Sequence, residues 1–223
     1  MGPAVAPRAW RLNAPLVSRQ RRAQLRAAIR AGRLRAVGHT DLLAPEGLPG
    51  MARASWALLL SGGGAFLALE LAARAAASTP PPPGAGTALS ILALIAGNLL
   101  AYATVLPLHE GVHGLVILLL GGRPSFGLKL PLAAYCTAPN QLFTRAGYSA
   151  VALAPLVLLS IAGAIVIWLA PNVGAYLLFG VVGNVAGAVG DLAAIGRLRV
   201  VPAGALIEDT QSGFVAHVTA QAS

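Results

Sequence analysis

The sequence predicts an all-α membrane protein with about four transmembrane helices and a short hairpin or re-entrant loop between the second and third. Three observations predict this class. Of the 223 residues, 57% are hydrophobic and only 10% charged, with a mean hydropathy of +0.73, well above a typical soluble domain. Apolar runs long enough to cross a hydrocarbon core of about 30 Å recur along the chain. The 16 Lys and Arg avoid two of the connections between those runs, as loops on the far side of a membrane do. Low aromatic content (5%) and 26 glycines suit helices that pack closely in lipid.

The elements follow in order. Residues 1–53 form a basic N-terminal arm and linker, holding ten of the 16 cationic side chains. The basic stretch from Arg8 to Arg35 is far longer than the n-region of a secretory signal, and no apolar region follows it until residue 55. Residues 17–37 read as a basic helix with an apolar stripe through Val17, Leu25 and Ile29, suited to anionic headgroups. No nucleic-acid partner is expected. Residues 38–53 are broken by Pro and Gly, as linkers are.

The membrane domain covers 54–196. A first span lies at about 55–77, and Pro80 to Pro83 make a stiff external turn. Thr87 to Leu120 is too long for one straight crossing, and Pro107 is expected to kink or split it. Residues 121–149 interrupt the apolar pattern, and Ser125–Leu130 with Ala133–Thr137 suggest the hairpin. Spans at about 150–170 and 174–195 follow, divided by Pro171-Asn172, before a polar tail at 197–223. The connections 78–87 and 171–173 hold no Lys or Arg, whereas the arm, the 123–145 loop and the tail do. Both termini are therefore expected in the cytoplasm. The single cysteine, Cys136, excludes an internal disulfide framework.

The chemistry concentrates in His109-Glu110-Gly111-Val112-His113, inside one of the most apolar stretches. Histidines four apart on a helix share a face and can hold one zinc ion, with the adjacent glutamate as general base on a water. With four histidines in the chain, a chance HExxH has a probability of about one in a thousand. Ionisable groups at membrane depth are costly and point to function. The expected topology brings Asp191, the sole acid of the fourth span, to a similar depth as a third zinc ligand. It can also cap a helix end or pair with Arg197. Cys136, Glu208, Asp209, His39 and His217 remain alternatives for the third position. Asn184 is seven residues before Asp191, placed to orient a ligand or the substrate backbone or to bond between helices. Gly180, Gly183, Gly187 and Gly190 suit close approach of the histidine-bearing helix, and Gly114 serves the same purpose. Asn98 reads as packing glue.

At these residues the chain resembles the site-2 protease family of intramembrane zinc metalloproteases. That family carries HExxH on one membrane helix and an aspartate ligand on a later one, with a hairpin and a span between them. The likeness covers roughly residues 88–195. More narrowly, HEGVHG (109–114), AYCTAPNQ (134–141), ALAPLVLLS (152–160) and GNVAGAVGD (183–191) look like an uncharacterised bacterial membrane family described as zincin peptidases. The chain departs from the better-known members at Gly187, where they have proline, and at Leu192, where they have glycine. The resemblance implies a zinc ion held by His109, His113 and Asp191, with Glu110 as base and Asn184 in support. It implies a metalloendopeptidase of a bacterial plasma membrane, whose partners are the lipid bilayer and a membrane protein or peptide substrate. The alternative is a non-catalytic zinc-binding scaffold or a small metal-transport protein.

Overall fold

Four helices in the computed structural model are long and apolar enough to cross a membrane. The structure describes residues 19–79, 86–129, 133–139 and 141–219. In chain order the elements are α1 (Arg19–Arg30), β1 (Leu34–Asp41), α2 (Leu48–Ala76), α3 (Ala88–Leu119), β2 (Ser125–Lys129) and β3 (Ala133–Thr137). Then come β4 (Leu142–Thr144), α4 (Arg145–Leu169), α5 (Pro171–Gly187), α6 (Val189–Leu198), β5 (Leu206–Thr210) and β6 (Gly213–Thr219). The four spans are α2, α3, α4 and the α5–α6 pair. Their outward faces are apolar: Leu89 and Leu169 are 77% and 76% exposed, a surface that suits lipid. This makes the chain a multi-pass membrane protein.

Helix α5 lies among α2, α3 and α4, and small residues and one amide let it sit there. A Cβ on Gly180 would fall 3.0 Å from the carbonyl oxygen of Ala101, and one on Gly183 would strike the Tyr102 ring. These two glycines therefore face α3, as expected, whereas Gly187 has open space beside it. Gly114 does something different: it makes room for the Phe126 ring of β2. Asn98 binds α3 to α5, donating from Nδ2 to the carbonyls of Leu94 (3.0 Å) and Ala175 (2.9 Å) and accepting from Phe179 N–H (2.9 Å). At the opposite end from the sheet, buried Glu70 accepts from Arg74, whose guanidinium also reaches Asn172 and the Pro171 carbonyl.

Helix α3 is not split at Pro107 but runs unbroken for 32 residues. One missing donor interrupts little of so long a ladder, and a helix of about 48 Å can meet a thinner bilayer by tilting. The real break comes in the last span, where α5 ends at Gly187 and α6 restarts at Val189. The hairpin forms with β2 and β3 antiparallel, Ser125 opposite Thr137 and Lys129 opposite Ala133. Outside the four spans, β1, β6, β5 and β4 form one antiparallel sheet. The basic helix expected at 17–37 ends at Arg30, because residues 34–37 pair instead as strand. Strand β1 runs on into the linker and pairs with the tail, Leu34 opposite Thr219 and Asp41 opposite Gly213. The expected turn at Pro80 to Pro83 and the apolar position Val17 lie outside the described residues.

Candidate metal centre

Four ionisable side chains converge where α3, α6 and β3 meet. The donor atoms of His109, Glu110 and His113 lie within 4.8 Å of one another. Asp191 comes closer still to the two rings: Oδ2 is 3.2 Å from His109 Nε2, and Oδ1 is 3.4 Å from His113 Nε2. Ligands about 2.1 Å from a tetrahedral ion stand about 3.4 Å apart, so these separations are those of a coordination shell. Among the described residues Asp191 makes no ion pair with Arg197.

The outer sides of both rings decide what their inner nitrogens can do. His113 Nδ1 lies 2.8 Å from the backbone carbonyl of Val151, which can only accept, so Nδ1 carries the hydrogen. In the neutral ring Nε2 is then a bare lone pair. His109 Nδ1 lies 2.9 Å from Asn184 Oδ1. The Asn184 amide donates through Nδ2 to the Pro155 carbonyl and Ser160 Oγ, both at 3.3 Å, which assigns Oδ1 to the histidine. His109 Nε2 is therefore bare as well. With both rings neutral, two lone pairs face a carboxylate with no donor between them, an arrangement that a proton or a cation reconciles. Protonating both rings would set like charges 4.9 Å apart, centroid to centroid. A single divalent cation satisfies all three groups, and imidazole with carboxylate is a donor set that suits zinc.

Pro155 explains why the Val151 carbonyl is available. In an uninterrupted helix that carbonyl accepts from the N–H four residues on, and residue 155 of α4 is a proline with no N–H. Val151, Pro155 and Ser160 escaped the sequence reading as site residues. Their signal was a proline within an otherwise unbroken apolar span.

The cluster opens into a cavity of about 340 Å³, whose other walls include Leu42, Tyr135, Cys136, Asp209 and the 210–213 turn. The alternative third ligands are accounted for. Glu208 pairs with His217 at 2.9 Å, and His39 lines a neighbouring groove. Asp209 accepts from Thr137 Oγ1 and Ala138 N–H, both at 2.7 Å, pinning the end of β3 to β5. Burial pushes the Asp209 carboxyl above the usual carboxylate range, with those two bonds opposing it. Burial, with Glu110 and Asp209 adding to it, raises the Cys136 thiol to about 12, so it stays protonated at neutral pH.

A family model describes the same stretch of chain. Residues 102–206 match the family described as "Putative zincin peptidase". The matched segment starts within α3 and ends at the first residue of β5, so His109, Glu110, His113, Asn184 and Asp191 all fall inside it. The description implies a zinc-dependent peptidase. No curated protein and no solved structure matches the chain.

Two outcomes follow from this geometry. Pro155→Ala returns a competing N–H to the Val151 carbonyl. Zinc affinity measured by chelator competition should fall about 10-fold or more, the usual effect of removing a ligand's outer partner; an unchanged affinity contradicts the role given to Pro155. Asp209 holds its proton more tightly folded than unfolded, so it adds stability at low pH that is lost as pH rises. In zinc-free protein, the thermal midpoint of the parent relative to Asp209→Asn should fall as pH climbs above about 4. A flat or rising difference contradicts it.

Proposed function

We propose that the chain is an intramembrane zinc metalloendopeptidase of the site-2 protease type, hydrolysing peptide bonds of membrane-associated substrates. The observation that carries this reading is the pair of Nε2 atoms directed at one carboxylate, beside a second carboxylate, among helices long and apolar enough to cross a membrane. His109, His113 and Asp191 would hold the ion, with Asn184 and the Val151 carbonyl fixing the two rings. Zinc held there supplies Lewis-acid chemistry, polarising a peptide carbonyl and acidifying a water.

Glu110 remains to move the proton. It precedes Gly111 on α3, and its carboxylate meets the backbone N–H of Cys136 at the edge of β3. From there it takes a proton from the attacking water and delivers it to the leaving amine. A substrate strand laid along β3 would place its scissile carbonyl between Glu110 and the ligand cluster. Intramembrane substrates must unwind for this, because a helix keeps its own carbonyls bonded. The basic arm and tail support a cytoplasmic placement of the sheet, both termini and the cavity, in a bacterial plasma membrane. Against metal transport, few polar side chains occupy the rest of the membrane depth.

Glu110→Gln tests the reading. The purified variant should keep one zinc per chain and lose about 10²- to 10⁴-fold in hydrolysis of a membrane-embedded test substrate. His113→Ala and Asp191→Ala should lose the zinc itself. Zinc retention with equal activity in Glu110→Gln would remove the base from the mechanism. Zinc binding with no hydrolysis by the parent would assign the non-catalytic scaffold instead.

A further inference from the structure

The cavity sits toward one end of the spans rather than at their middle. His113 and His109 lie six and ten residues before the end of α3 at Leu119, about 9 and 15 Å along the helix. Ten of the 22 residues lining the cavity lie outside the helical spans, among them Leu42 and Leu43 after β1, Tyr135 and Cys136 of β3, and the turn from Thr210 to Gly213. A bond cut there lies where a chain passes from apolar to aqueous surroundings.

A second groove, of about 1040 Å³, adjoins this cavity between α2 and α6 and shares Leu42, Met51 and Val189 with it. Its inner lining is apolar, with Ala57 and Leu58 from α2 and Leu192 and Ala193 from α6. Its lining also carries both signs of charge: Asp41 and Glu46 against Arg53 and Arg197. The volume lies just above the ~300–1000 Å³ of small-molecule pockets, which suits a length of chain. An anionic lipid headgroup would call for a cationic lining, whereas mixed charge suits the polar flank of a peptide. On the far side of the cluster, β3 pairs only with β2 among the described residues, and its residues 134–136 line the cavity.

We infer that the groove between α2 and α6 receives the apolar half of a substrate segment that straddles the membrane boundary, so the bond is cut at the apolar–polar junction. The substrate path runs from the groove, past Leu42, Met51 and Val189, across the ligand cluster and onto β3. The inference rests on the peptidase reading for its chemistry, but docking can be measured without cleavage.

The test uses zinc-loaded Glu110→Gln protein in lipid nanodiscs and fluorescence anisotropy with three peptides of equal length. One joins an apolar Leu/Ala half to a polar Gly/Ser/Asn half, one is polar throughout and one is apolar throughout. The straddling peptide should bind at least 10-fold more tightly than the polar one. Adding Ala57→Trp from one wall, or Ala193→Trp from the other, should weaken it at least 10-fold with zinc content unchanged. Leu60→Trp, at a position 72% exposed and not in the groove lining, should change it less than 2-fold. Full-strength binding in both groove variants overturns the inference, as does their release of bound phospholipid without loss of peptide. Cleavage of the straddling peptide by the parent, mapped by mass spectrometry, separates the two readings. Cutting inside the apolar half sinks the inference and leaves the peptidase standing. The expected binding pattern with no cleavage sinks the peptidase and leaves the docking groove.

Discussion

Two imidazoles that have spent their hydrogens on the outside leave only lone pairs for the inside, and a carboxylate faces both. His113 gives its N–H to the Val151 carbonyl and His109 gives its own to Asn184. Each is a hydrogen bond of ordinary length between two helices. Together they turn a motif common in hydrolases into a pocket of three acceptors that only a cation or protons can reconcile. The surrounding structure can be understood as what is needed to hold that unfavourable arrangement ready.

The holding begins in the backbone. Pro155 withholds a donor from α4 so that the Val151 carbonyl stays free. Asn184 is 2% exposed, with its amide spent on α4 on one side and on the histidine on the other. The break at Ala188 ends α5 just after Asn184 and starts α6 just before Asp191. One span can thus present an amide to the outer side of a ring and a carboxylate to its inner side. A straight helix would put these two groups about 10 Å apart along its axis. Gly180 and Gly183 let α5 approach α3 closely enough for both groups to reach His109. Outside the spans, Asp209 fastens the end of β3, the strand whose Cys136 amide meets Glu110, to the four-stranded sheet.

Much of this was legible in the sequence because it is encoded locally. Apolar length gave four spans, and i, i+4 spacing gave the histidine face. The break in the apolar pattern at 121–149 gave the hairpin at 125–137. What escaped depends on partners distant in sequence. LRAVGHTD carries no clean alternation, so β1 is invisible until GFVAHVT lies beside it. The span carrying Asn184 and Asp191 reads as one continuous helix, because Gly187-Ala188-Val189 contains nothing that obliges a break. Pro107 and Pro155 look alike in sequence. The first leaves α3 whole, while the second frees a carbonyl that only a histidine from another helix makes meaningful.

The central claim is that His109, His113 and Asp191 together hold one zinc ion, and zinc-edge X-ray absorption on the purified protein tests it most directly. The account predicts two histidine nitrogens and carboxylate or water oxygen, all at about 2.0–2.2 Å, with no sulfur in the shell. The imidazole signature should halve in His109→Ala protein that retains any metal. A sulfur scatterer at about 2.3 Å, which Cys136 would supply, or a shell of oxygens with no imidazole, would contradict it.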